Sequence, residues 1–120
     1  MDCLFCKIIN KEIESQILYE DDLVIAFLDI NQKCPGHTLI VPKKHYTDYL
    51  ELDSEIIAYI LKIAKNLDKE LTSKLKADGM MFAWNFGCAQ VIKHFHLHLM
   101  PKYKNEINLT LEEVYEILKN

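Results

Sequence analysis

The chain has 120 residues, of which 50% are apolar and 27% are charged, and its formal net charge is −4. This length and composition predict one globular domain over residues 1–120 and exclude two independent cores. The negative charge argues against binding of duplex nucleic acid, because that function needs a broad basic surface, whereas a small nucleotide needs only a local positive site.

The N-terminal residues contain no basic leader followed by an apolar run, and the chain has no long uninterrupted apolar stretch. We therefore expect a cytoplasmic protein with no signal peptide and no membrane segment. Cys3 and Cys6 form a Cys-x-x-Cys pair, which in a reducing compartment indicates metal or redox chemistry more than a structural disulfide. Cys34 and Cys88 stand alone and are predicted to be small buried thiols.

Two strands are predicted in the first half of the chain. An apolar run at 23–28 is followed by a turn at 31–36, and a second apolar run at 38–41 is stopped by Pro42. Glycine and proline are sparse in this chain, so each of them marks a turn or the end of an element. This half therefore has the order strand, turn, strand.

One long amphipathic helix is predicted next, with Asp53 as its N-cap and an end before the Asp-Gly pair at 78–79. Lysines and acids occupy the positions opposite the apolar ones, as in a helix with one buried face. The apolar residues at helical spacing are Ile56, Ile57, Ile60, Leu61, Ile63, Ala64, Leu67, Leu71 and Leu75.

The second half is predicted to contain two more strands, at 80–86 and 91–100, joined by a short loop at 87–90. Strands joined by so short a loop should pair antiparallel. The segment 110–113 resembles a capping box and is predicted to open a terminal helix. Together these elements predict an α+β fold, with a helix covering one face of an antiparallel sheet.

Three of the five histidines fall on alternate residues of the last predicted strand, at His94, His96 and His98. Side chains alternate between the faces of a strand, so these three should share one face, opposite Phe95 and Leu97. Imidazole titrates near neutrality and can act as a nucleophile, an acid or base, or a metal ligand. The triplet therefore indicates either a catalytic site or a metal site in which all three histidines hold one ion.

The pattern HFHLHLM at 94–100 resembles the signature of the histidine triad superfamily of nucleotide hydrolases and transferases. Segments upstream resemble the same family in order and spacing, so the resemblance extends over nearly the whole chain. They lie at 3–9, 19–22, 26–30 and 35–45. The resemblance implies a sheet of about five strands with one long covering helix and short terminal helices, in a homodimer whose two sheets join into one.

The middle histidine, His96, has a histidine on either side of it on the predicted face and is the natural nucleophile for attack on phosphorus. The resemblance implies the same role, with a covalent nucleotidyl-histidine intermediate that water then hydrolyses. It further implies that His98 donates to a phosphate oxygen and that His37 orients the site. The substrate would be a nucleoside phosphoramidate or a dinucleoside polyphosphate, with a purine base.

The resemblance also implies a set of nucleotide-binding residues. Asp29 matches the position that accepts hydrogen bonds from ribose hydroxyls, and small residues in the loop before the histidines let backbone amides approach an anion. The base pocket would be lined by Phe5, Phe27 and Ile30, and the phosphate contacted by Asn85, Gly87 and Gln90. Two departures are visible: the loop between Asn85 and Gln90 is shorter than in relatives, and Val91 stands where many relatives carry Ser or Thr.

A zinc site is the second constellation. Cys3 and Cys6 offer two thiolates at a spacing suited to one tetrahedral ion, and the resemblance adds His45 and His94 as the remaining ligands. Four protein ligands leave no open position, so the zinc would be structural. The alternative is a pair of buried thiols with no metal.

Three function hypotheses remain open at this point. The first is a histidine triad nucleotide hydrolase or transferase, and the second is a nucleotide-binding regulatory module with little or no turnover, suggested by the short loop and Val91. The third is a metalloenzyme that uses all three strand histidines as ligands; it ranks last because His94 has a better use beside the two cysteines.

Overall fold

The computed structural model describes residues 3–120 and contains five strands in one sheet. All neighbouring strands pair antiparallel, in the order β1-β2-β3-β5-β4. The predicted α+β class and the sheet of about five strands are confirmed. The strands are β1 (Ile17–Glu20), β2 (Val24–Leu28), β3 (Thr38–Pro42), β4 (Gly79–Ala83) and β5 (Leu97–Lys102).

The long helix α2 (Ser54–Leu75) covers one face of the sheet, as predicted. The side chain of Asp53 caps it by accepting from the backbone N–H of Ile56 at 2.9 Å, and the helix ends at Lys76 in the left-handed conformation. Every second residue of the central strands points toward it. The main core therefore joins the apolar stripe of α2 to Val24, Ala26, Leu28, Ile40, Leu97 and Leu99.

Two short helices complete the fold. Helix α1 (Leu4–Ile9) packs Phe5 and Ile8 on the opposite face of the sheet, against Ile25, Phe27, Leu39 and Val41. Helix α3 (Leu111–Lys119) packs beside α2 through Val114 and Leu118. It begins with the predicted capping box, in which Thr110 and Glu113 each bond to the other's backbone N–H.

The predicted strand at 91–100 is wrong over residues 91–96, because β5 begins only at Leu97. Pairing stops there: the last pairs are Ile40 with Leu97 and Ala83 with His98, and the rest of β3 is paired with β2 alone. Upstream, the N–H of Phe95 donates instead to the carbonyl of Tyr46 at 2.7 Å. The sheet also leaves residues 84–86 outside β4, so the predicted strand at 80–86 is too long at its C-terminal end.

Alternation nevertheless continues through the irregular segment. Phe95, Leu97 and Leu99 are all buried against α2, which leaves His94, His96 and His98 on the α1 side of the sheet. Strand β1 at Ile17–Glu20 was not predicted, because a four-residue strand gives little periodic signal. Among residues 3–120, no helix combines the length and the apolar composition that a bilayer crossing requires.

Candidate active site and metal centre

A cavity of about 340 Å³ lies on the α1 side of the sheet. Its walls come from α1, from the end of β2 with the turn that follows, and from the segment before β5. Seven of the predicted site residues line it together: Phe5, Phe27, Asp29, Ile30, Asn85, His96 and His98. Ile30 is 73% exposed and forms an open edge of the cavity rather than a buried wall.

His37 immediately precedes β3, is fully buried and does not line this cavity. The turn before it fixes the ring, because the backbone N–H of Lys33 donates to His37 Nδ1 at 3.3 Å. The backbone groups of His37 are bonded to Asp29 and Cys34 at 2.9 and 3.1 Å. The imidazole is therefore held by the turn 29–37 and not by contact with the cavity itself.

These contacts assign the tautomers of two histidines. Since His37 Nδ1 accepts a hydrogen bond, the neutral ring carries its proton on Nε2, which lies 2.9 Å from His98 Nδ1. His98 then accepts at Nδ1 and carries its own proton on Nε2. That Nε2 is buried and has no partner among the described residues, so His98 presents a free N–H donor at the cavity.

His96 has the opposite arrangement. Its Nδ1 lies 2.9 Å from the carbonyl oxygen of His94, and since a carbonyl can only accept, Nδ1 carries the proton. The Nε2 lone pair of His96 is therefore unprotonated in the neutral ring. The edge-to-face contact with Phe5, at 4.9 Å between ring centroids, holds this imidazole in place.

Burial keeps these rings neutral. Desolvation lowers the pKa of His96 and of His37, and it lowers the pKa of His98 to about 4 with help from the neighbouring imidazoles. At neutral pH the site thus holds one unprotonated nitrogen and one neutral N–H donor on adjacent rings. The carboxylate of Asp29, whose Oδ2 is 3.7 Å from His37 Nε2, supplies negative charge nearby.

The loop before the histidines is placed differently from the expectation. Asn85 lines the cavity, but Gly87 lies in a short 3-10 turn (Gly87–Ala89) and is not among the lining residues. The side-chain amide of Gln90 is buried and donates to the carbonyls of Thr47 and Ile92 at 2.7 and 3.0 Å. In this conformation Gln90 therefore braces the loop, while Val91 stands 90% exposed at the cavity mouth.

The structure brings the four predicted zinc ligands together, and none of the four lines the cavity described above. Ligand atoms of Cys3, Cys6, His45 and His94 all lie within 4.8 Å of one another. The Sγ atom of Cys3 is 3.3 Å from His94 Nδ1, and that of Cys6 is 3.3 Å from His45 Nδ1 and 3.5 Å from His94 Nδ1. A zinc tetrahedron with sulfur and nitrogen ligands has edges of about 3.5 Å, so the cluster fits the ion.

Two further contacts favour metal binding. His94 Nε2 donates to the carbonyl of Pro42 at 2.8 Å, which orients the ring and leaves the lone pair of Nδ1 facing the thiols as a metal ligand. Burial and the adjacent Cys3 raise the pKa of Cys6 to about 11 when no cation is near. A bound cation would offset that cost by stabilising the thiolates.

The hypothesis of a metal held by His94, His96 and His98 together is not supported. His94 Nδ1 faces the cysteines, and His96 Nδ1 is engaged by a backbone carbonyl. Within residues 3–120, the other cluster with metal-ligand character joins Asp29, His37 and His98, and it lacks both of those histidines. The three triad histidines therefore have different hydrogen-bond partners.

A model of the HIT domain matches residues 10–105 of the chain. The chain belongs to the HIT domain family. An uncharacterized HIT-like protein from Methanocaldococcus jannaschii is 40% identical over 129 aligned positions, covering 98% of each chain. An adenylylsulfatase from Arabidopsis thaliana is 35% identical over 88% of this chain and 54% of its own length.

Solved HIT structures superpose closely. A histidine triad nucleotide-binding protein from Sulfolobus tokodaii, described as hypothetical, is 33% identical with a TM-score of 0.91, covering 98% of this chain and 89% of its own. A zinc-bound histidine triad family protein from Mycobacterium smegmatis is 30% identical with a TM-score of 0.91, covering 99% of this chain and 91% of its own. The HIT fold of this chain is thus shared with a protein that holds zinc.

Sequence reasoning missed several contributors to the HIT site. The backbone N–H of Lys33 orients His37, and the carbonyl of Pro42 orients His94. Contacts with main-chain groups cannot be predicted from residue type, because the main chain is common to all residues. Leu4 and Ile8 of α1 also line the cavity. Their signal was available, since they lie one turn apart beside Phe5, but it required α1 to be recognised as a helix.

Proposed function

We propose that this chain is a nucleotide hydrolase or nucleotidyl transferase that acts at the α-phosphate through a covalent intermediate on His96. The observation that carries the proposal is the pair of opposite tautomers on adjacent rings at one cavity, a lone pair on His96 Nε2 and an N–H on His98 Nε2. The adenylylsulfatase relative is an enzyme by its name, which supports turnover in this family. The substrates proposed are nucleoside phosphoramidates and dinucleoside polyphosphates.

In the first step His96 Nε2 attacks phosphorus in line with the leaving group. A P–N bond forms as the bond to the leaving group breaks, and that group departs with the electron pair and takes up a proton from solvent. The His98 N–H donates to a phosphate oxygen, where charge develops in the transition state. Because the His98 ring is already neutral and accepts from His37 Nε2, no proton rearrangement is needed before His96 attacks.

In the second step water attacks the nucleotidyl-histidine and gives up a proton to solvent as a P–O bond forms. The P–N bond breaks, and its electron pair returns to Nε2 of neutral His96. The carbonyl of His94 stabilises the charge on the modified ring by accepting from Nδ1–H throughout. The cavity is open enough at Ile30 and Val91 for water to enter once the leaving group has gone. The nucleotide product then dissociates.

Nucleotide selection in the proposal depends on the inner part of the cavity. Phe5 and Phe27 pack edge to face at 5.6 Å and form an apolar wall suited to a purine base, and Asp29 would accept from the ribose hydroxyls. Zinc on the Cys3–Cys6–His45–His94 cluster would be structural, since four protein ligands leave no open position for a substrate.

Stereochemistry at phosphorus tests the two-step route. An α-phosphate made chiral with sulfur and oxygen isotopes should be hydrolysed with net retention, because two in-line displacements each invert the centre. Inversion would indicate direct attack by water and would overturn the covalent route. His96→Asn should abolish turnover, while His98→Gln, which keeps a donor, should retain a measurable fraction of it.

The second candidate function is a nucleotide-binding module with little turnover. It is favoured by the placement of Gln90, whose amide is engaged by backbone carbonyls, and by the lack of a hydroxyl at Val91. Nucleotide binding by calorimetry with no detectable hydrolysis of either substrate class would favour this function over the enzyme.

We also propose that the chain forms a homodimer through a surface that we call the β4 face. Strand β4 is an edge strand, paired only with β5 in the described chain. Beside it, the ring of Tyr49 contacts those of Phe86 and Trp84, with centroids 5.2 and 6.1 Å away. The exposed apolar side chains of this face are Tyr49, Leu50, Ile57, Leu61, Phe82, Trp84 and Phe86. Met81 is exposed on the opposite side of β4.

A second copy is the proposed occupant because an unpaired strand edge next to an apolar surface can join the same edge of another chain into one larger sheet. Sedimentation should give a mass of two chains. Leu61→Glu should reduce it to one, whereas Asn66→Glu, exposed on another side of α2, should not. A monomeric wild-type protein at micromolar concentration would contradict the proposal.

A further inference from the structure

We propose that Cys3 and Cys6 are a thiol-oxidation site, at which a peroxide forms an intramolecular disulfide, expels the metal and loosens the α1 wall of the active-site cavity. The two sulfurs belong to one cluster whose ligand atoms lie within 4.8 Å of one another. They are separated by two residues at the start of α1, a spacing that permits a disulfide. The inference goes beyond the proposed hydrolase and stands without it.

The cluster can be reached from solvent. A second cavity, of about 460 Å³, is lined by Cys3 and His45 together with Thr47 and Lys93. Cys3 itself is buried, whereas Cys6 is half-buried and is the more accessible of the two thiols. A small oxidant can therefore reach both sulfurs, because Cys3 lines this cavity and Cys6 is the less buried residue. We assign the first attack to Cys6 and the resolving attack to Cys3.

The chemistry balances with a peroxide as the oxidant. The Cys6 sulfur attacks one peroxide oxygen, the O–O bond breaks, and Cys6 becomes a sulfenic acid as the released hydroxide takes a proton to form water. The Cys3 sulfur then attacks the Cys6 sulfur, and the hydroxyl group leaves with a proton as a second water. Two thiolates have lost two electrons to the peroxide, and the metal has lost half of its ligands.

Both cysteines also hold α1 in place, which links the oxidation to the cavity. Cys3 is the N-cap, and its sulfur accepts from the Cys6 N–H at 3.3 Å. Phe5, between them, packs edge to face on His96 and on Phe27. Oxidation removes the sulfur cap and separates Cys6 from His45, so the first turn of α1 loses two of its attachments.

The test uses zinc-loaded protein in which Cys34 and Cys88 are replaced by Ser, since Cys88 is exposed and Cys34 is half-buried, contrary to their predicted burial. Hydrogen peroxide is added in steps. Free zinc is read with a chelating dye, the disulfide by peptide mass spectrometry, and the order of α1 by hydrogen exchange at amides such as Asn10, which donates to the Cys6 carbonyl.

The expected result is one zinc released for each Cys3–Cys6 disulfide, about tenfold faster exchange at the α1 amides, equivalent to loss of one cap, and reversal by dithiothreitol with zinc. The unsubstituted chain is run in parallel, so the result does not depend on the folding of the variant. Cys3→Ser should stop the reaction at the sulfenic acid of Cys6, because no second thiol is then present to form the disulfide. Zinc that stays bound, a disulfide that excludes Cys3 or Cys6, or unchanged α1 exchange after oxidation would each overturn the proposal.

Discussion

The turn before His37 depends on a glycine that has both an unusual backbone angle and no free space around it. Gly36 has φ +92°, and a Cβ built there would lie 2.6 Å from Leu75 Cδ1 and 3.0 Å from Pro101 Cγ. Gly36→Ala therefore combines two penalties. Positive φ costs a residue with a Cβ roughly 1–2 kcal/mol, and overpacking in a core costs roughly 1–3 kcal/mol more.

Gly87 offers a matched control within the same chain. It also has a positive φ, +66°, but a Cβ there would meet nothing within 4 Å. Both substitutions restrict the unfolded chain equally, so that contribution cancels between them. We expect Gly36→Ala to lower the free energy of unfolding by about 3 kcal/mol and Gly87→Ala by about 1 kcal/mol, the difference being the contact with Leu75.

Urea unfolding at fixed zinc concentration, followed by circular dichroism, measures both variants. With a denaturant dependence of about 2 kcal/mol per molar urea, the two midpoints should differ by about 1 M. Midpoints that agree within about 0.2 M would refute the reasoning, because they would mean that Leu75 and Pro101 move aside at no cost and that backbone angle alone sets the effect.

Three further predictions concern stability. Removing zinc with a chelator should lower the free energy of unfolding by about 4 kcal/mol, compared with protein in free zinc at 1,000 times the Kd. His45→Ala should make the free energy of unfolding insensitive to the chelator. Equal free energies of unfolding for the wild type with and without chelator would contradict this prediction. Asp21→Asn should lower the free energy of unfolding by about 2 kcal/mol in thermal or urea unfolding, because the Asp21 carboxylate accepts hydrogen bonds from the hydroxyls of Tyr19 and Tyr59. Burial raises the pKa of this carboxyl, but the hydrogen bonds outweigh it and lower the pKa to about 2. An unchanged free energy of unfolding would show that these two hydrogen bonds do not stabilise the fold. Burial lowers the pKa of His98 to about 4, so between pH 6.5 and pH 4 the unfolded chain binds a proton that the folded chain does not, and the free energy of unfolding falls on acidification. His98→Gln should therefore reduce the dependence of the urea midpoint on pH. An unchanged dependence would refute the prediction.

The sequence predicted those elements whose residue pattern is local and fits only one kind of secondary structure. The apolar stripe of α2 and its N-cap at Asp53 are local signals, and both were confirmed. The strand before His98 was extended too far, because alternation of apolar and polar residues reports only which side is buried. Whether a backbone pairs depends on a neighbouring strand, and the pairs that β5 makes with β3 and β4 stop at Leu97 and His98.

The candidate site divides in a similar way. Residue types pointed to the histidines and cysteines, and the structure brings Cys3, Cys6, His45 and His94 into one cluster. The tautomer of each histidine could not be predicted, because it depends on which main-chain group lies next to the ring, as the Lys33 N–H lies next to His37 Nδ1. Nearly every residue carries such groups, so the sequence does not identify the partner. The position of Gln90 likewise depends on which carbonyls the fold brings near its amide.

The central claim is that the Nε2 atom of His96 forms a bond to phosphorus. Protein mixed with an adenosine phosphoramidate, quenched within milliseconds in base and digested, can be examined by tandem mass spectrometry for a nucleotidyl group. The account predicts the added mass on His96, and its absence from His94 and His98. A nucleotidyl group on either of those rings, or turnover that proceeds with His96 unmodified at every time point, would contradict it.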